Sequence, residues 1–79
     1  MEIKICGPGC AKCNEAFDLA AKVIAESGKD VTLTKITDFQ EIAQLGVFST
    51  PAVVVENEIK CVGKVPTQKE LLSWIVDGS

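Results

Sequence analysis

The sequence contains no histidine, no arginine and no tyrosine, and its only aromatic residues are three phenylalanines and one tryptophan. Without histidine, it cannot form a Cys/His zinc site or a nucleophile pair of the Ser/His or Cys/His type. Its positive charge comes from eight lysines, which eleven acidic residues outweigh to give a formal net charge of −3. Because a nucleic-acid-binding surface needs a basic face that usually carries arginine, we expect no nucleic-acid partner.

Long apolar runs are also missing. No run approaches the ~20 residues of a membrane-spanning helix, and the N-terminal segment has the pattern of a strand rather than that of a basic and hydrophobic leader. We therefore expect a cytoplasmic protein with no membrane partner. The length of 79 residues predicts one domain, residues 1–79, because so short a chain buries too little surface for two cores. We further expect a monomer that holds no cofactor.

Two of the four cysteines, Cys10 and Cys13, form a C-x-x-C pair between a predicted strand and a predicted helix. Residues 1–5 alternate apolar and polar, Gly7-Pro8-Gly9 interrupts that pattern, and a helical pattern begins at about residue 11. Cys10 thus lies at the start of a helix, where unpaired N–H groups and the helix dipole favour the thiolate. Cys13, one turn later, lies on the same side, so that the two sulfurs can form a small disulfide or bind one metal ion.

Two kinds of chemistry use this spacing. One is reversible dithiol–disulfide exchange, and the other is the binding of a soft metal such as Cu(I) or Zn(II) by paired thiolates, with Cys6 as a third ligand. In a reducing compartment, paired cysteines more often have one of these roles than that of a structural disulfide. The simplest alternative, that of ordinary buried cysteines, fits a lone cysteine better than a pair at the junction of a strand and a helix.

The predicted helix after the motif carries one apolar stripe, whose members are Cys13, Phe17, Ala20 and Ile24. Their spacing predicts a helix over residues 11–27 that buries this stripe against a core. Cys13 would then face inward, and Cys10 would remain at the exposed tip. This is the arrangement that a resolving thiol and an attacking thiol need.

Strand and helix patterns alternate along the rest of the chain. The predicted strands cover residues 1–5, 31–36, 52–55 and 59–62, and the two later helices begin after Asp38 and Thr67. Glu41 and Glu70, three residues after these caps, complete capping boxes. The predicted buried faces are Phe39, Ile42 and Ala43 in the first of these helices and Leu71, Leu72, Trp74 and Ile75 in the second. The order β-α-β-α-β-β-α predicts an α/β fold whose first two strands are parallel and whose last two are antiparallel.

Cys10-Ala11-Lys12-Cys13, Thr50-Pro51 before a buried strand, and this order of elements together resemble the thioredoxin superfamily, and within it the small redox-active disulfide proteins of bacteria and archaea. The resemblance covers essentially the whole chain and implies a thioredoxin-like three-layer fold, in which three helices cover a four-stranded mixed sheet. It also implies a thiol–disulfide oxidoreductase in which Cys10 attacks a protein disulfide and Cys13 resolves the mixed disulfide. A thioredoxin-reductase-like enzyme would then re-reduce the pair. This role involves no bound metal, and the soft-metal carrier remains the alternative.

The same resemblance implies a set of substrate contacts. Pro51 would be cis and lie against the dithiol, so that the backbone of Thr50 pairs with an extended substrate strand. Gly9 and Lys12, on either side of the nucleophile, would complete these contacts. The sequence also departs from the family. Gly9 stands where many thioredoxins have tryptophan, and the pair between the cysteines is Ala-Lys rather than Gly-Pro, which leaves the reduction potential and the partner surface open. Lys4 stands where thioredoxins have a buried aspartate that helps to deprotonate the resolving thiol, so another acid, water or the lysine itself would serve, or resolution would be slower.

The other two cysteines have less specific surroundings in the sequence. Cys61 lies in the predicted last strand, where alternation favours a small apolar core residue. Cys6 ends the predicted first strand, where it is either a core residue or a second resolving or regulatory thiol close to Cys10.

Overall fold

The computed structural model describes residues 1–9 and 11–77, except for the side chain of Asp77. The elements in chain order are β1 (Glu2–Cys6), α1 (Ala11–Ser27), β2 (Thr32–Ile36), α2 (Phe39–Gln44), β3 (Ala52–Val55), β4 (Glu58–Val62) and α3 (Gln68–Asp77). This order confirms the predicted sequence of strands and helices. None of the described helices has the length and apolar character needed to cross a bilayer.

The four strands form one mixed sheet in the order β2-β1-β3-β4. The central strand β1 pairs in parallel with β2, which places Cys6 beside Ile36, and antiparallel with β3, which places Cys6 beside Ala52. The hairpin from β3 to β4 turns at Glu56 and Asn57, which both have positive φ, as in the two-residue turns that match the twist of a sheet. The α/β class and the mixed four-stranded sheet are therefore as predicted.

The sheet divides the interior into two clusters, because successive side chains of a strand point to opposite faces. The larger cluster joins the sheet to α1 and α3, and its members are Ile3, Ile5, Ala16, Ala20, Val23, Val53, Val55, Cys61, Leu71 and Ile75. The smaller cluster joins the sheet to α2, and its members are Cys6, Ile42, Val47, Ala52 and Val54. The sheet is thus the middle of three layers, and the carboxyl end of β1 lies between the two clusters.

An irregularity in β4 sets the position of Cys61. Val53 pairs with Cys61 and Val54 with Ile59, so that Lys60 is an extra residue in this strand. Cys61 is buried in the larger cluster, and its thiol donates a hydrogen bond to the Lys64 carbonyl at 3.3 Å. Burial raises the pKa of this thiol. The prediction that Cys61 is a small core residue is therefore confirmed.

The helix starts follow the predicted caps. Thr67 and Glu70 make reciprocal bonds, because each side chain accepts from the backbone N–H of the other at 3.1 Å. The Asp38 carboxylate accepts from the Gln40 N–H at 2.9 Å. These bonds satisfy N–H groups that have no partner within the helix.

The predicted buried faces of α2 and α3 are partly wrong. Phe39 is 68% exposed and Ala43 is also exposed, so that Ile42 is the buried member of α2 among the three predicted. A helix of six residues has fewer than two full turns and presents only a narrow face to the sheet. In α3, Leu71 and Ile75 are buried as predicted, but Leu72 is 42% exposed because it lies to one side of the line these two residues form.

Candidate redox site

Cys13 is fully buried on α1, as the apolar stripe predicts. The residue directly after β1, Gly7, lies against it: a Cβ added at Gly7 would stand 2.7 Å from the Cys13 Cβ, closer than such atoms approach in real proteins. The Gly7 N–H donates to the Ile36 carbonyl at 2.8 Å, which extends the pairing of β1 with β2 and holds the backbone in place. Only glycine leaves room for the thiol here.

From the sequence, Gly7 was predicted only as part of a turn, and its contact with Cys13 was not predicted. The signal that was available is a glycine directly after a strand, a position where another part of the chain often comes close to the backbone.

Pro51 reaches the same end of the sheet from the other side. Cys6, the last residue of β1, pairs with Ala52, the first residue of β3, in antiparallel register, so Gly7 and Pro51 both lie just beyond this pair. Pro51 is buried, the Thr50–Pro51 peptide bond is cis, and the Pro51 carbonyl accepts from the Gly63 N–H at 2.8 Å. Cys13, which contacts Gly7, and Pro51 therefore lie at the same end of the sheet.

Cys10 itself lies outside the described residues. Its described neighbours Gly9, Ala11 and Lys12 are all exposed, and Gly9 has a positive φ of 101°. Thr50, on the other side of the site, is half-buried. The residues around the buried Cys13 thus include a set that solvent can reach, and these are the positions predicted to touch substrate.

Comparison with known proteins places the chain in a family. Residues 1–76 match a family model described as a thioredoxin domain. The chain belongs to the thioredoxin family. It is 41% identical over 69 residues to a protein named Thioredoxin from Methanocaldococcus jannaschii, an alignment that covers 87% of this chain and 79% of that relative. It is also 32% identical over 71 residues to a protein named Thioredoxin from Methanothermobacter thermautotrophicus, covering 90% of this chain and 92% of the relative.

Membership in the thioredoxin family agrees with the architecture described above, three helices over a four-stranded mixed sheet. It also confirms the general form of the predicted activity: the chain is a thiol–disulfide oxidoreductase.

Within this thioredoxin fold, Cys6 is a core residue. Its side chain is fully buried beside Ile42, Val47 and Ala52 in the smaller cluster. Burial raises the pKa of the Cys6 thiol, and the charge of Lys4 offsets this only in part. A protonated thiol is a poor nucleophile, so these surroundings favour the core interpretation of Cys6 over a second resolving thiol.

Lys4 occupies the position where many thioredoxins have a buried acid. Its amine lies 3.9 Å from the Glu2 carboxylate, and its side chain lines a shallow groove with Glu41 and Gln44. No charged or polar side chain is buried among residues 1–9 and 11–76. The described part of the chain therefore holds no buried carboxylate in place of the one that many thioredoxins have at this position.

An apolar groove of about 340 Å³ begins at Thr50. Its lining residues are Phe39, Ile42, Ala43, Val47, Phe48 and Thr50. Phe48 is 86% exposed and Phe39 is 68% exposed, so two aromatic rings face solvent beside the candidate site. Sequence reasoning missed this surface because it assigned Phe39 to the core.

Proposed function

We propose that this thioredoxin-family protein is a protein-disulfide reductase that exchanges a Cys10/Cys13 dithiol with the disulfides of protein substrates. The Cys10 thiolate attacks one sulfur of the substrate disulfide, which forms a mixed disulfide and releases the other substrate sulfur as a thiolate. The Cys13 thiolate then attacks the Cys10 sulfur. This second step releases the remaining substrate sulfur, leaves a Cys10–Cys13 disulfide, and completes the transfer of two electrons to the substrate.

The observation that carries the proposal is the full burial of Cys13 against Gly7. A thiol with no exposed surface cannot meet the disulfide of a macromolecule directly. It can attack a neighbouring sulfur within its own chain, which is what the resolving step requires. The burial of Cys13 therefore supports its assignment as the resolving thiol and leaves the attacking role to Cys10.

The proposed substrate contacts are Thr50, Pro51, Gly9 and Lys12. The half-buried Thr50 offers backbone groups to an extended substrate segment in the manner of an added strand. The exposed Gly9 has no side chain to hinder the approach of a substrate, and the exposed Lys12 adds a positive charge near the attacking thiolate.

The proposal also includes an electron donor and a cellular compartment. A thioredoxin-reductase-like enzyme re-reduces the disulfide, which requires a compartment that keeps thiols reduced, and the cytoplasm is such a compartment. Residues 1–79 act as a single domain and as a monomer.

Phe48 offers a test of the substrate surface. Phe48→Ser should raise the KM for insulin by about three- to tenfold, because a substrate polypeptide would lose an apolar contact beside Thr50, while the rate with a small aromatic disulfide should stay the same. Since the ring is 86% exposed, the stability of the protein should not change. Leu72→Ser, at an exposed apolar residue of α3, is the matched control. An equal effect of both substitutions on the KM for insulin, or no effect of either, would contradict the proposal that the apolar groove at Phe48 contacts the substrate polypeptide.

A mass measurement distinguishes the redox function from its alternative, a soft-metal carrier that uses the same cysteines. On oxidation the intact protein should lose about 2 Da, the mass of two hydrogen atoms, and peptide analysis should find the new disulfide between Cys10 and Cys13. The reduced protein should also catalyse insulin reduction. Stoichiometric Cu(I) or Zn(II) in protein isolated under reducing conditions, together with no insulin reduction, would instead favour the carrier.

A further inference from the structure

A line of hydrogen bonds joins β2, α1 and the loop in front of Cys10. The Lys35 amine in β2 donates to the Asn14 Oδ1 in α1 at 2.8 Å, and the Asn14 Nδ2 donates to the Gly9 carbonyl at 3.4 Å. Asn14 directly follows Cys13 in the sequence, and Gly9 directly precedes Cys10. One exposed side chain, that of Asn14, therefore connects the start of α1 with both the sheet and the loop.

Lys35 is held in place by a second contact. Its amine lies 5.4 Å from the centroid of the Phe17 ring, within the range of a cation–π interaction. Phe17 is itself half-buried against the larger cluster. Because the ring and the Asn14 amide both restrict Lys35, its amine is a better-defined donor than that of an ordinary exposed lysine, whose side chain has many rotamers.

The conformation of Gly9 places its carbonyl in this line. Its φ of +101° is one that residues with a side chain rarely adopt, whereas a Cβ at this position would meet nothing within 4 Å. Glycine is thus needed here for its backbone conformation and not for space. The hydrogen bond from the Asn14 amide restrains the Gly9 carbonyl in this conformation.

We infer that Lys35 and Asn14 are positioning residues for thiol–disulfide exchange, and that they act by holding the Gly9 peptide that leads into Cys10. The inference rests on the proposed role of Cys10 as nucleophile. The charge of Lys35 polarises the Asn14 amide, and this amide in turn polarises the Gly9 peptide, because hydrogen bonds in a chain strengthen one another. The donors at the Gly9 carbonyl draw electron density from the peptide that joins Gly9 to Cys10, which favours negative charge on the Cys10 sulfur.

The test compares Asn14→Leu and Lys35→Met with Lys35→Arg in the full chain. Leucine keeps the size of the side chain without its hydrogen bonds, methionine keeps the stem of Lys35 against Phe17 without the charge, and arginine retains a charged donor. Lys22→Met is the matched control, because it removes the charge of an exposed lysine in α1 that is not part of this line of hydrogen bonds. The other charged side chains on the first turns of α1, Lys12, Glu15 and Asp18, remain unchanged.

The readout is the rate at which iodoacetamide alkylates Cys10 from about pH 5 to pH 9, around the range where reactive thiols titrate. Peptide mass spectrometry separates Cys10 from the other three cysteines. Asn14→Leu and Lys35→Met should each slow alkylation at neutral pH by about three- to tenfold, as expected for the loss of a charge-assisted hydrogen bond, and should shift the midpoint to higher pH. Lys35→Arg and Lys22→Met should keep the profile of the unmodified protein.

The double variant Asn14→Leu/Lys35→Met should react no more slowly than the slower single variant, because both side chains act through the same line of bonds. Additive losses, or an unchanged profile in folded Asn14→Leu protein, would overturn the inference while leaving Cys10 as the nucleophile. Insulin reduction by Cys10→Ser would overturn the proposed function itself, so the two failures are distinguishable.

Discussion

Replacing Cys10 with serine should lower the rate of insulin reduction by roughly a thousandfold or more. A serine hydroxyl is close in size to a thiol, but it stays protonated at neutral pH and cannot form a mixed disulfide. The rate is measured from the precipitation of the insulin B chain with dithiothreitol as the electron donor. Activity like that of the unmodified protein in Cys10→Ser would refute the assignment.

Replacing Cys13 should produce a different defect. Cys13→Ala retains the attacking thiol but removes the resolving one, so that a covalent one-to-one complex with the substrate should accumulate. Alanine is preferred to serine here because Cys13 is fully buried and a hydroxyl at such a position needs a hydrogen-bond partner. Non-reducing electrophoresis and intact mass detect the complex, and added thiol should release it. If no complex forms while Cys10→Ser is inactive, the proposed division between the two thiols is wrong.

The remaining cysteines offer the matched control. Burial raises the pKa of both Cys6 and Cys61, and since the thiolate is the nucleophile, we expect neither residue to be needed for exchange. Cys6→Ala/Cys61→Ser should therefore reduce insulin at nearly the unmodified rate, and the serine keeps a donor for the Lys64 carbonyl. Loss of turnover in the folded double variant would show that one of these thiols belongs to the reaction.

Among the described glycines, Gly7→Ala should cause the most severe steric clash and should destabilise the protein. The new Cβ would stand 2.7 Å from the Cys13 Cβ, and neither atom is the end of a flexible side chain that can move away. The first turn of α1 or the end of β1 would have to shift, which should lower the free energy of unfolding by about 1–3 kcal/mol. Displacement of Cys13 should also slow the resolving step and increase the amount of mixed disulfide. Guanidinium denaturation of the reduced protein measures the first effect.

A double-mutant cycle shows whether the Cys13 sulfur, which the added Cβ would also overlap, contributes to this cost. In a Cys13→Ala background the sulfur is absent, so Gly7→Ala should cost less free energy of unfolding than it does in the unmodified chain. An equal cost in both backgrounds would indicate that the clash is with the Cys13 Cβ, which alanine retains, and not with the sulfur. Full stability of Gly7→Ala would contradict the close contact altogether.

Most of the elements and their order were predictable because the signals are local. The alternation in β1 and β2, the apolar run of β3, and the four-three-four stripe on α1 each depend on the short-range geometry of a strand or a helix. The capping residues Asp38 and Thr67 act within a single turn. Cys13 was predicted to be buried for the same reason, since its place in the stripe follows from the helical period alone.

The errors concern how much of a helix the sheet covers. Phe39 and Ala43 have the spacing of a buried face, but α2 is only six residues long, and its contact with the sheet is limited to the neighbourhood of Ile42. Leu72 is beside the buried line of α3 and faces partly toward solvent. The periodicity of a helix indicates which side chains share a face, but not how much of that face the sheet covers.

The sequence by itself determined the chemistry of this protein: a pair of thiols one helical turn apart at the start of a helix, because the order of strand, glycine-rich turn and helix is set by interactions between near neighbours. Only the tertiary structure decided that Gly7 lies against Cys13, that Pro51 lies at the same end of the sheet, and that Lys35 reaches Gly9 through Asn14. These contacts depend on the register of β1 with β2 and β3, which pairs residues far apart in the chain. Such a register follows from the packing of the whole sheet against its helices, and no local pattern contains it.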